Sequence, residues 1–213
     1  MLGFSFAKAD SLVVMLDISG STPIVEPNFM RTAIPIVGDN IAKLPVGSSI
    51  QVLTVGDDKQ KPLNLQFYVQ RIKDRSGDTA ANLAKSVPAM IAGYLNEVRS
   101  NPSKMQGESS LSPAFLDASK WFQSGKPSTV IFYSDGMEHQ PGVLVWPRDY
   151  KKPLPPIPQL NLQGASVLIY GVGQCAQGQE MGCATSQQRI VIEQHWTTWL
   201  KEHKAGNIDL RRL

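Results

Sequence analysis

The sequence predicts an α/β fold. The expected architecture is a doubly wound, mostly parallel sheet of about six strands, with one antiparallel edge strand and helices on both faces. Three observations predict it. Short unbroken apolar runs stand at Ser11–Leu16, Thr129–Tyr133 and Ser166–Tyr170, as strands buried on both faces require. Segments with helical spacing separate these runs, so strand and helix alternate along the chain. Between Leu63 and Val69, Leu63, Leu65, Phe67 and Val69 alternate with polar residues, which marks a half-exposed strand at a sheet edge.

The first strand is Ser11-Leu12-Val13-Val14-Met15-Leu16, and it runs into Asp17-Ile18-Ser19-Gly20-Ser21. Pro27 suits a first helical position, so a helix is expected over Asn28–Lys43. Its apolar face is Phe29, Ala33, Ile36, Val37, Ile41 and Leu44, and Pro35 is expected to kink or split it. Leu44-Pro45-Val46-Gly47 stops the helix, and Ser49–Val55 reads as the second strand. Gly56-Asp57-Asp58-Lys59 reads as the turn into the edge strand, with Asp57 and Asp58 as turn formers rather than ligands. Asp78 or Thr79 can cap a helix reaching about Arg99. Its core face is Leu83, Val87, Met90 or Ile91, Tyr94 or Leu95, and Val98, with a bend at Pro88.

After Asn101-Pro102 and a polar loop, a helix is expected over Leu111–Phe122, stopped by Ser124-Gly125-Lys126-Pro127. The strand from Thr129 ends at Ser134, just before Asp135-Gly136. Residues 137–163 are proline-rich and poorly periodic. They read as a surface insertion, with Pro153–Pro158 extended in the polyproline manner and a PxxP ligand for another domain as the sharper alternative. The strand at Ser166–Tyr170 ends in Gly171-Val172-Gly173. A helix follows over Ser186–Lys204, with a mixed face of Ile190, Ile192 or Glu193, Trp196, Trp199 and Leu200. Residues 207–213 supply a last short strand. The whole of 1–213 reads as one domain, a size that suits a single core.

Composition narrows the function. The net charge of +3 comes without a lysine or arginine stripe, so nothing points to nucleic acid. Apolar residues are 42% and charged residues 18%, an ordinary globular balance in which no stretch is long and apolar enough to span a bilayer. The N-terminus lacks the basic and apolar regions of a signal peptide, which for a complete chain points to the cytoplasm. Cys175 and Cys183 lie in one loop with no His or Cys companions, a poor zinc set. They can be a small disulfide, implying an oxidising compartment and a removed leader, or two thiols.

Chemistry gathers where strands end. Open α/β sheets bind ligands beyond the carboxyl ends of their strands. Three loops leave that edge with matching side chains: Asp17, Ser19 and Ser21 after the first strand, Ser109 or Ser110 before the helix at 111, and Asp135 after the strand at 129. Two carboxylates and several hydroxyls are hard oxygen donors, which suit Mg²⁺ or Mn²⁺.

These residues resemble the von Willebrand factor A-type domains. Asp17-x-Ser19-x-Ser21 is similar to their metal-ion-dependent adhesion motif. Gly107-x-Ser109-x-Leu111, with Ala114 and Phe115 further on, resembles the segment carrying the family's metal-binding Thr. Asp135, after Val130-Ile131-Phe132-Tyr133-Ser134, resembles the family's second Asp. The resemblance runs from about Asp10 to about Leu210 and implies a Rossmann-like fold. It departs in one place, with Ser where the family has Thr, which keeps the oxygen but loses the stiffness of a β-branched side chain.

The resemblance implies metal ligation by Asp17, Ser19, Ser21, Ser109 and Asp135, with Mg²⁺ or Mn²⁺ as cofactor. It implies binding of a protein partner through an Asp or Glu carboxylate, and no catalysis. A scaffold of the same fold without metal is the plainer alternative. Two enzyme readings compete. Gly171-Val172-Gly173-Gln174-Cys175-Ala176, with Glu193 downstream, fits a dinucleotide fingerprint, but the residues after it lack the helical pattern such a site needs. A metal-dependent hydrolase could use Asp17 and Asp135, yet no Lys or Arg stands beside either in sequence to clamp a phosphate. His139 reads as a solvated loop residue, and His195 and His203 as helix surface or packing, so no catalytic triad assembles.

Overall fold

The computed structural model describes residues 10–55, 63–105, 107, 109–176 and 183–213. The turn expected at 56–59 lies outside them.

The elements in chain order are β1 (Ser11–Asp17), α1 (Pro27–Ile41), β2 (Ser49–Val55), β3 (Asn64–Tyr68), α2 (Ala80–Ser100), α3 (Leu111–Ser119), β4 (Ser128–Tyr133), β5 (His139–Gln140), β6 (Leu144–Val145), β7 (Ser166–Tyr170), α4 (Ser186–Glu202) and β8 (Ile208–Arg211). Six strands form one sheet in the order β3-β2-β1-β4-β7-β8. All pairings in it are parallel except β2 with β3. β5 and β6 make a separate small hairpin.

The apolar runs form the inner strands because every residue of β1 is buried, and alternate residues enter opposite cores. Leu12, Val14 and Leu16 face one core with α1 and α2, while Val13 and Met15 face the other with α3 and α4. The chain winds outward from β1 to β2 and β3 on one side, and from β4 to β7 and β8 on the other. The strand order therefore reverses between β1 and β4. Leu16 pairs with Tyr133, so Asp17 and Ser134 end neighbouring strands at that reversal, the position where doubly wound sheets bind ligands.

Both internal prolines sit within continuous helices. α1 runs from Pro27 to Ile41 through Pro35, and α2 from Ala80 to Ser100 through Pro88. Neither helix splits, because apolar residues on both sides of each proline enter the same core. Thr79 caps α2, its hydroxyl accepting from Asn82 N. Of the paired alternatives on α2, Ile91 and Leu95 are buried, while Met90 is exposed. On α4 the buried residues are Ile192, Trp196, Trp199 and Leu200, and Ile190 faces solvent. α3 is shorter than expected, ending at Ser119 rather than Phe122.

The proline-rich stretch runs over the surface, with Pro153, Pro156 and Pro158 exposed, but it is anchored in the core more firmly than its lack of period suggests. Met137, Leu144, Trp146, Leu154, Leu160 and Leu162 are buried in the core shared with α3 and α4. The segment is fastened to α4 largely through its own backbone. Trp199 Nε1 donates to Pro155 O at 2.8 Å, and Ile157 N donates to His203 Nε2 at 3.2 Å. His203 Nδ1 lies 2.7 Å from Trp199 O, so the ring donates there and accepts from Ile157, which fixes a neutral tautomer. His195 packs as the sequence suggests, stacked on Trp146 with ring centroids 5.8 Å apart.

The two helices of the first core meet at Gly38. A Cβ there would stand 2.7 Å from the Ala84 backbone oxygen, too close for any rotamer change to relieve. Gly38→Ala gains helix propensity of about 1 kcal/mol but forces α1 away from α2. The expected outcome is a net loss of about 1–2 kcal/mol in urea unfolding, with an unchanged slope.

Candidate metal centre

The carboxyl end of β1 is a polar knot closed by hydrogen bonds. Asp17 is fully buried. Its Oδ1 accepts from Ser19 N at 3.0 Å and from Ser109 Oγ at 3.2 Å. Its Oδ2 accepts from Ser134 Oγ at 2.7 Å. One carboxylate thus gathers three segments far apart in sequence. Asp17-to-Ser19 is the ordinary Asx turn of an Asp that leaves a strand, and it brings the Ser19 and Ser21 hydroxyls within 3.4 Å of each other.

Asp135 follows the end of β4 beside it. Its Oδ1 accepts from Met137 N at 2.8 Å. Its Oδ2 is buried and has no hydrogen-bond partner among the described residues. The turn after it depends on Gly136, whose φ of 73° an L side chain adopts only with strain. A Cβ there would also stand 3.3 Å from Val172 Cγ1, and the Trp196 indole Nε1 donates to Gly136 O at 2.9 Å.

The five residues expected at the site therefore lie on three adjoining loops. Ser109 and Ser110 differ in position. Ser109 is buried and bonded to Asp17, whereas Ser110 is the cap position of α3 and its side chain makes no capping bond. Ser21 is half-buried and Gly20 exposed, so the knot opens to solvent on that side. The loop after β7 joins the knot through backbone bonds, Ala176 N to Ser21 O at 2.9 Å and Gly173 N to Asp135 O at 2.8 Å.

Two residues the sequence reading did not assign to the site belong to its frame. Ser134 holds Asp17 Oδ2 and accepts from Gly136 N at 2.9 Å. A polar residue ending a buried strand just before an Asp was the available signal. Glu138 is fully buried near the start of α3 and had no such signal. His139 is half-buried on β5, and its backbone N–H donates to Ser109 O at 2.9 Å.

Electrostatics make the pair unusual. Neither Asp17 nor Asp135 forms an ion pair with a cationic side chain among the described residues. Burial pushes the Asp17 carboxyl above the ordinary carboxylate range, against the pull of Ser134, Ser19 and Ser109. Burial and then the neighbouring Asp17 charge push Asp135 up to about 7, opposed by the Ser21 hydroxyl and the Met137 amide. Two carboxylates in one dry site share a proton unless a cation joins them.

The donor set fits a small hard dication. Among the described residues no three His, Cys, Asp or Glu side chains cluster. The available donors are two carboxylates and a set of hydroxyls, an all-oxygen chemistry foreign to zinc or copper and suited to Mg²⁺ or Mn²⁺. The unpaired Asp135 Oδ2 is a buried acceptor of the kind a cation, or water held by one, satisfies. Among the described residues the dinucleotide alternative finds no helix opening at its fingerprint: residues 174–176 are not helical. Cys175 and Cys183 are joined in a disulfide.

No family model matches the chain, and no curated protein matches it. Among solved structures, the chain is similar to an aerotolerance-related membrane protein from Bacteroides fragilis, whose crystal structure carries multiple mutations to serines. The identity is 15%, the match covers 94% of this chain and 90% of that one, and the TM-score is 0.46.

The raised Asp135 carboxyl gives a pH signature in protein stripped of divalent ions. Its folded value of about 7 exceeds the ordinary 3.8, so between these limits the folded state binds more protons than the unfolded state. Its contribution to stability therefore falls as pH rises from about 4 to about 7, then levels off. Asp135→Asn removes this term. Urea unfolding across that pH range is expected to show a flatter profile for the variant, with the gap from wild type closing towards pH 4.

Proposed function

We propose that this chain is a divalent-cation-dependent protein-binding domain of the von Willebrand factor A type, and that it does not catalyse a reaction. The observation that carries this reading is the pair of buried carboxylates with no cationic partner among the described residues, ringed by hydroxyls at the sheet's topological switch point. Ser19, Ser21 and Ser109 would hold Mg²⁺ or Mn²⁺ directly, with Asp17 and Asp135 orienting water in its shell. Hydroxyl ligands leave such an ion electron-poor, so what it supplies when bound is a coordination position for a carboxylate from outside.

The chain's own residues do the rest. Asp17 ties the three loops together, Ser134 fixes its second oxygen, and the half-buried Ser21 marks the side from which a ligand reaches the site. The partner is a protein offering an Asp or Glu side chain. An enzyme would need a cationic clamp or a general base at the rim, and among the described residues no cationic side chain forms an ion pair with either carboxylate. The disulfide supports placement in an oxidising compartment, outside the cytoplasm. No helix among the described residues is long and apolar enough to cross a membrane.

Asp17→Ala tests the reading. Calorimetric titration with Mn²⁺ is expected to show affinity reduced by about 100-fold or more, the upper range for losing a group that organises a metal shell. The variant should still unfold cooperatively, since the surrounding core is apolar. Unchanged Mn²⁺ affinity would refute the site.

A further inference from the structure

Glu138 stands outside every motif, yet it joins two of the loops that form the candidate centre. It is fully buried. Its Oε1 accepts from Leu111 N at 3.0 Å and its Oε2 from Ser112 N at 2.7 Å. Gln140 Nε2 donates both to Glu138 Oε1 and to Ser112 Oγ, each at 3.0 Å. Leu111 and Ser112 are the first two residues of α3, and the third, Pro113, has no N–H. Glu138 therefore takes the orphan amides of a helix whose own cap residue, Ser110, offers no side-chain bond. A carboxylate is also the favoured charge at that end of the helix dipole.

An ordinary cap comes from the residue next to the helix. This one arrives from 26 positions away, on the chain that leaves Asp135. A parallel backbone bond, His139 N to Ser109 O at 2.9 Å, fastens the same two segments. Trp146 N donates to Glu138 O at 2.9 Å and anchors the donor side in turn. The arrangement makes the place of Ser109 relative to Asp17 and Asp135 depend on a side chain whose hydrogen bonds go to Leu111, Ser112 and Gln140 instead.

We propose that Glu138 is a positioning residue for the cation. It clamps the start of α3 against the loop after β4, sets the reach of the Ser109 hydroxyl, and thereby tunes which ion the site accepts. This rests on the cation-binding reading given above. Mg²⁺ demands a near-ideal octahedron, whereas Ca²⁺ tolerates irregular and longer contacts. A loosened Ser109 should therefore cost Mg²⁺ more than Ca²⁺, a difference that a purely structural cap would not produce.

The test is calorimetric titration of Mg²⁺, Mn²⁺ and Ca²⁺ into wild type, Glu138→Gln, Glu138→Asp and Gln140→Ala. Glu138→Gln turns one acceptor into a donor that faces a helix amide. It is expected to weaken Mn²⁺ by about 10-fold or more and to lower the ratio of Mg²⁺ to Ca²⁺ affinity. Glu138→Asp should move both quantities in the same direction by less, and Gln140→Ala by less again. If Glu138→Gln does not fold, the ratio for Glu138→Asp decides. Glutamate variants with wild-type affinities and ratio would overturn the proposal, even if they unfold more easily. A wild type that takes up none of the three ions would instead overturn the cation reading, and this one with it.

Discussion

The structure turns on the Asp17 carboxylate at the end of β1. It is buried among apolar strands, accepts from Ser19, Ser109 and Ser134, and has a second buried carboxylate for a neighbour. Without those three donors, a charge at this depth would be costly by several kcal/mol. The bonds also decide geometry, because each comes from a different segment. The helix-start loop, the end of β4 and the β1 turn can satisfy Asp17 only by meeting. Strand order supplies the meeting place, since β1 and β4 are neighbours whose outgoing connections diverge.

That constraint explains how the rest is built. Apolar clusters cover both faces of the sheet, and the polar knot sits at its rim. Gly136 lets the chain turn at once after Asp135, so Trp196 of α4 can bond its carbonyl from below. The loop after β7 bonds back to Ser21 and Asp135 through its backbone. Four loops thus lean on one another, and the disulfide lies in the fourth, one residue from the amide that meets Ser21.

Much of this was legible in the sequence, for physical reasons that differ by element. β1, β4 and β7 were readable because strands buried on both faces must be apolar throughout. β3 was readable because a half-exposed edge strand must alternate. The gathering of Asp17, Ser19, Ser21, Ser109 and Asp135 followed from strand ends sharing one edge. Of the two outcomes Pro35 allowed, a kink or a split, the split does not occur, because core packing on both flanks keeps the helix whole. The buried anchors of the proline-rich stretch were not legible, because leucines and a tryptophan spaced without period give no sign of burial. Glu138 was invisible for a related reason. Its partners are backbone amides, and amides leave no mark in a sequence.

The fastening of the proline-rich stretch to α4 has a consequence of its own. The donor at Trp199 meets the carbonyl of residue 155 and the acceptor at His203 meets the amide of residue 157. Both contacts read main-chain atoms and ignore what the side chains are. Pro153, Pro156 and Pro158 point to solvent, while Leu154 and Leu160 serve as buried anchors. The outward positions can accordingly drift over evolutionary time without disturbing the domain. The same freedom makes this stretch a natural place to display a foreign epitope on an otherwise unaltered scaffold.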